Sequence, residues 1–130
     1  MEAGKISVVV VSGSLERLQM AAMVASVGAV SGSDVRVLLS MNALPVFRKG
    51  QPSVGAAEGE AGALLTGKQV PPFKQLFESA RDLGDAQILP CSMAMDLLGY
   101  EPSDLEPYLG PATGLTKFLN DAADGQVYTF

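Results

Sequence analysis

Apolar positions change period twice near the start of the chain. Ile6 to Val11 reads Ile-Ser-Val-Val-Val-Val, a β-branched run of the kind found in a strand buried on both faces. Ser12-Gly13-Ser14 then supplies a turn and, in Ser14, a residue suited to cap a helix. Leu18, Ala22, Ala25 and Ala29 follow at spacings of four, three and four, which puts them on one helical face. Gly28 to Ser33 is expected to end that helix, and Val35 to Leu39 forms a second apolar strand. Strand, helix and strand in this order make a βαβ unit with parallel strands.

The segment from Asn42 to Pro72 breaks the pattern. It is rich in Gly and Pro, and Ser53 to Ala63 is nearly all Gly, Ala, Glu and Val. It reads as a long excursion with a short helix near Ala56 to Leu65, either a mobile surface loop or a functional lid. Helical spacing returns with Phe73, Leu76, Phe77 and Ala80, and Gly84 is the expected stop. Ala86 to Leu89 is a third strand, Met93 to Leu98 a helix closed by Gly99, and Ser103 to Glu106 has capping-box form. Leu115, Phe118, Leu119 and Ala122 make a last amphipathic helix before a closing strand at Gln126 to Phe130. A fifth strand is expected near Ala112 or within the excursion. The fold class is α/β: one domain over residues 1–130, three layers, with helices on both faces of a mostly parallel sheet of about five strands. Sites in such folds lie beyond the carboxyl ends of the strands, which selects Ser12 to Leu15, Ser40 to Gly50 and Pro90 to Met95.

Composition narrows the chemistry mainly by what it lacks. There is no histidine and one cysteine, so Ser-His-Asp and Cys-His catalysis are excluded. One thiolate with carboxylates is a poor zinc set, so a metal site is not expected. The net charge is −5 and the nine basic residues are scattered, which sets nucleic-acid binding aside. No apolar run is long enough to span a bilayer, and the start of the chain lacks the pattern of a signal peptide. With no intrachain disulfide available, a reducing, cytoplasmic location is the default.

The reactive candidate is Cys91, just past the third strand and at the start of a helix. Unpaired amides and the helix dipole there favour a thiolate, the form that attacks sulfur in disulfides, polysulfides and persulfides. Pro90 fixes the chain entering the turn. The competing reading is a small, inert core cysteine packed under the helix. Met93 and Met95, with Met20, Met23 and Met41 elsewhere, offer soft apolar surface for a sulfur-accepting pocket or else fill gaps in the core. Asp96 caps, pairs with a cation, tunes the thiol, or is a solvated helix residue. Ser12, Gly13 and Ser14 invite an anion-binding reading at a helix N-terminus, although Gly-x-Gly-x-x-Gly spacing and a Walker lysine are missing. Arg48-Lys49, the adjacent basic pair, is either an anion-attracting feature or a solvated turn.

Pro90-Cys91-Ser92-Met93-Ala94-Met95-Asp96-Leu97-Leu98-Gly99 resembles the Cys-x-Met-(Ser/Ala)-Met-Asp-x-x-Gly signature of the DsrE2-type branch of the DsrE/DsrF/DsrH family. Ser12-Gly13-Ser14-Leu15-Glu16-Arg17-Leu18 is similar to that family's Ser-Gly-x-Leu-(Asp/Glu)-(Lys/Arg) opening of the first helix. The likeness covers most of the chain and is poorest in the excursion. It implies a parallel α/β fold assembled as homotrimers or hexamers, without a cofactor. It also implies a cysteine at Cys91 that accepts sulfane sulfur from a small donor or a persulfide-bearing protein and passes it on. Ser12, Gly13, Ser14, Met41, Ser92 and Met93 are then the expected substrate contacts, with Pro90 and Asp96 in support. A mechanism that needs a second, resolving cysteine has no counterpart in this chain. Whether the protein turns over as a sulfurtransferase stays open. The alternative is a non-enzymatic oligomeric α/β module that binds a small anion, a nucleotide-like ligand or a protein partner at the strand ends.

Overall fold

The run at Ile6 becomes β1 (Lys5–Val10) in the computed structural model, which describes residues 4–130. It leads into α1 (Leu15–Val30), capped by Ser14, whose Oγ accepts from the Arg17 amide at 3.3 Å. All four residues of the expected stripe on α1 are buried. Gly28 does not stop this helix. It lies inside it, where a Cβ would stand 3.0 Å from Ile6 Cδ1 and 3.2 Å from Val35 Cγ2, so its missing side chain lets α1 rest on the sheet. β2 (Asp34–Leu39) follows, then β3 (Gln87–Pro90) and β4 (Gln126–Thr129), in the order β3-β2-β1-β4 with every pairing parallel.

The excursion is only partly a surface loop. Residues Met41–Phe47 form a 3-10 segment whose Ala43, Leu44 and Phe47 are fully buried. Phe47 meets Phe73 and Phe77 of α3 (Phe73–Gly84) edge-on, with ring centroids 5.9 and 5.6 Å apart. The short helix expected at Ala56 to Leu65 is α2 (Glu60–Gly67), displaced toward the C-terminus. α3 ends one residue beyond expectation: Gly84 is its last helical residue, and Asp85 takes the left-handed cap at φ 57°. Gly84 is needed for closeness, since a Cβ there would stand 2.6 Å from both the Cβ and the carbonyl oxygen of Ala29.

α1 and α3 pack together on the sheet face that carries Ile6 and Val35. On the other face, Lys5 and Arg36 both donate to the Asp121 carbonyl at the end of α5 (Leu115–Asp121), completing the three layers. Within α5 only half of the expected stripe is buried: Phe118 and Ala122 face in, whereas Leu115 and Leu119 are half-exposed.

The sheet has four strands, and the expected fifth is reduced to a bridge. Residues 110–113 run beside β3, with Gly110 N bonded to Ile88 O at 2.7 Å and Thr113 N to Pro90 O at 2.9 Å. Ile88 and Pro90 turn their backbone groups toward this segment, and both Pro90 and Pro111 lack an N–H to donate. A regular ladder cannot form there. The capping turn is also shifted: Pro102–Asp104 is a single 3-10 turn in which the Asp104 carboxylate accepts from the Glu101 amide at 2.8 Å, so Ser103 does not start it.

Candidate functional site

Pro90 is the last residue of β3, opposite Leu39 at the end of β2. The next residue, Cys91, has extended backbone (φ −72°, ψ 124°) and is the N-cap of α4 (Ser92–Leu98), which Gly99 closes at φ 74°. Its amide donates to Leu39 O at 2.9 Å and its carbonyl accepts from Met95 N at 3.0 Å. Thr113 grips the other side, bridging to Cys91 and taking the Ser92 amide on its carbonyl at 3.0 Å. Of the first-turn amides of α4, those of Met93 and Ala94 stay outside these bonds and outside the helical ladder.

The cysteine is only 5% exposed. Helix start and burial therefore coexist at this residue. A cavity of about 410 Å³ lies alongside, lined by Pro90, Met95, Leu105 and Ala112 among others, and Cys91 is not part of its lining.

The remaining expected contacts separate by distance. Ser92 and Met93 adjoin Cys91, with Met93 56% exposed on the outer side of α4 and Ser92 half-buried. Met41 follows Ser40 at the end of β2, the neighbouring strand, and is exposed with φ 49°. Ser12, Gly13 and Ser14 follow β1, two strands from Cys91, a separation of about 10 Å. Asp96 is exposed on α4, where its carbonyl receives the closing Gly99 amide. Among the expected methionines only Met95 fills the core; Met20, Met23, Met41 and Met93 are all exposed. Thr113 carries no signal in the residue pattern, because its role comes from a bridge between separate segments of the chain.

The start of α1 is occupied by the chain itself. Ser14 Oγ donates to the Glu58 carboxylate, Arg17 Nε pairs with the same carboxylate at 2.9 Å, and the Leu15 amide donates to Ala56 O at 2.9 Å. Glu16 reaches the other way, accepting from the amides of Glu58 at 2.8 Å and Gly59 at 2.7 Å. The Glu58 amide is the main influence holding the Glu16 carboxyl below its ordinary value, against partial desolvation. Gly13 allows the close fit on its other side, since a Cβ there would stand 2.8 Å from Asn42 O. An anion entering at Ser12 to Ser14 would have to displace Glu58. Among the described residues, no group of three or more Cys, Asp or Glu side chains is placed to hold a metal ion, and no helix is long and apolar enough to cross a membrane.

A family model described as the DsrE/DsrF/DrsH-like family matches residues 61–130, which include β3, Cys91 and α4. Among solved structures, the chain is similar to the ychN protein from E. coli at 18% identity and a TM-score of 0.62, covering 100% of both chains. It is also similar to the protein of unknown function MTH1491 from Methanobacterium thermoautotrophicum, at 10% identity and a TM-score of 0.56 over 99% of this chain and 100% of that one. No curated protein matches it.

Proposed function

The chain belongs to the DsrE/DsrF/DrsH-like family, and on that premise we propose that it is a sulfur carrier, loaded and unloaded at Cys91. The observation that supports this reading is the position of the chain's one cysteine: the N-cap of α4, at the carboxyl edge of a parallel sheet, within the family-matched half. The thiolate of Cys91 attacks the sulfane sulfur of a donor persulfide. The donor S–S bond breaks, its thiolate leaves with the electron pair, and a new S–S bond leaves Cys91 as a persulfide. Delivery is the same exchange in reverse onto an acceptor thiol. The donor is a small polysulfide or a persulfide-bearing protein, the protein works in the cytoplasm as a homotrimer or hexamer, and no cofactor takes part. Ser92, Met93 and Met41 contact the incoming sulfur, Pro90 and Asp96 support the turn, and the Ser12 to Ser14 turn meets the rest of the donor once Glu58 moves aside.

The burial of Cys91 favours a second reading, a non-enzymatic oligomeric module that binds a small anion or a protein partner at the strand ends. Intact-mass spectrometry after incubation with polysulfide separates the two. The carrier gains the mass of one or more sulfur atoms, released by a thiol reductant, and a Cys91→Ser variant gains none. Equal uptake by wild type and variant, or none by either, rejects the carrier reading in favour of the module.

A further inference from the structure

Where the excursion crosses α1 it leaves a cavity of about 290 Å³, walled by Leu15 of α1, Ser53, Leu65 of α2 and Pro72 ahead of α3. That volume lies at the lower end of the range for small-molecule sites. The cavity shares no lining residue with the one beside Pro90. Gln19 also lines it, although this residue is only 6% exposed. Gln19 Nε2 donates to Pro71 O at 2.9 Å. A carbonyl can only accept, so this bond decides which end of the side-chain amide is which.

The other end is Oε1, an acceptor held in place by that bond and without a donor among the described residues. It is not one of the core's sealed polar atoms, and the open space beside it is the cavity. A polar atom on so deeply buried a side chain ordinarily has a partner. Ser53 Oγ accepts from the Lys74 amide at 3.3 Å, which leaves its O–H to donate. On the rim stands Lys68, exposed and paired with no carboxylate among the described residues. We propose that this cavity binds a small organic anion that has an apolar body and an N–H or O–H donor. The donor bonds Gln19 Oε1, the body packs on Leu15, Leu65 and Pro72, and the anionic group meets the Lys68 ammonium. Ser53 donates to an acceptor on the same molecule. The site rests on none of the sulfur chemistry proposed for Cys91.

The probe is anilinonaphthalene sulfonate, which joins aromatic rings, an N–H and a sulfonate, titrated into the full chain and followed by fluorescence. Wild type is expected to bind it saturably, and Gln19→Met to bind it about tenfold more weakly. Lys68→Ala is expected to bind about threefold more weakly, a gap that closes as salt is added. Naphthalene sulfonate lacks the N–H and is expected to bind wild type and Gln19→Met alike, which separates a lost hydrogen bond from a disturbed fold. Val27→Ser, 61% exposed on the open face of α1, is expected to change nothing. Should Gln19→Met fail to fold, the nitrogen–proton NMR spectrum of wild type decides, with the Gln19 side-chain amide expected to shift as dye is added. The site is overturned by an absence of saturable binding, by unchanged affinity in Gln19→Met or Lys68→Ala, or by equal weakening of both probes in Gln19→Met. Weaker binding in Val27→Ser, or a Gln19 side-chain signal that does not move, overturns it as well.

Discussion

Tyr108 is buried with its hydroxyl, and among the described residues that hydroxyl meets no hydrogen-bond partner. Burial, and then the charges of Glu106 and Glu78, push its ionisation well above the ordinary tyrosine value, so it stays neutral at any physiological pH. A neutral buried donor without a partner costs stability, so Tyr108→Phe is expected to stabilise the fold by about 1 kcal/mol in urea unfolding. A loss of stability would show that the hydroxyl is satisfied and the expectation wrong. Cys91 illustrates how far single residues were legible. Its strand-end, helix-start position follows from the apolar run at Ala86 and the helical spacing after Met93. Its burial does not, because Thr113 and the end of β2 close around it from distant parts of the chain. The methionines mislead for a related reason: helical spacing tells which residues share a face, and exposure of Met20 and Met23 depends on what covers that face.

Among the elements, the contact of α1 with α3 is set by what is missing. Gly84 leaves no room for a methyl group against Ala29, and the backbone carbonyl in its way cannot rotate aside as a side chain would. Gly84→Ala is expected to force the two helices apart and to cost about 1–3 kcal/mol in the midpoint of urea or thermal unfolding, despite alanine's better helix propensity. An unchanged midpoint would show that α3 shifts freely. The same residue had been readable only as a helix stop, since composition marks a glycine but cannot tell a turn from a close approach. β1, α1 and β2 were legible because their periodicity is local and their burial follows from it. The excursion was not: Phe47 is core only through Phe73 and Phe77, and the glycines and prolines around it masked that. The fifth strand failed on two prolines, Pro90 and Pro111, which the apolar pattern does not weigh.

At the scale of the whole molecule, residues 51–59 form a strap that ties the excursion to the start of α1. Its fastenings are polar and exposed: Glu16 on the Glu58 and Gly59 amides, and Glu58 on Arg17 and Ser14. At its other end the ammonium of Lys74 holds Gln51 O at 2.6 Å and Glu106 at 2.8 Å in a nearly buried cluster. The strap thus has one deep anchor and one surface latch, and acid should act on the latch. The Glu16 carboxyl ionises below its ordinary value when folded, so its contribution is complete above the unfolded value and is lost as pH falls through the lowered one. Protonated, it no longer supplies a charged acceptor to the two amides, and the strap should lift from α1 while the core persists. Hydrogen exchange over residues 51–60, corrected for the intrinsic effect of pH, is expected to show increased opening as acid is added. Glu16→Gln is expected to show that opening already at neutral pH and to lose its dependence on acid. Equal protection of the strap in wild type and Glu16→Gln across the range would mean that Lys74 and the packing of Gly55 against Gly13 suffice to hold it. Glu58 would then remain over the Ser12 to Ser14 turn at every pH.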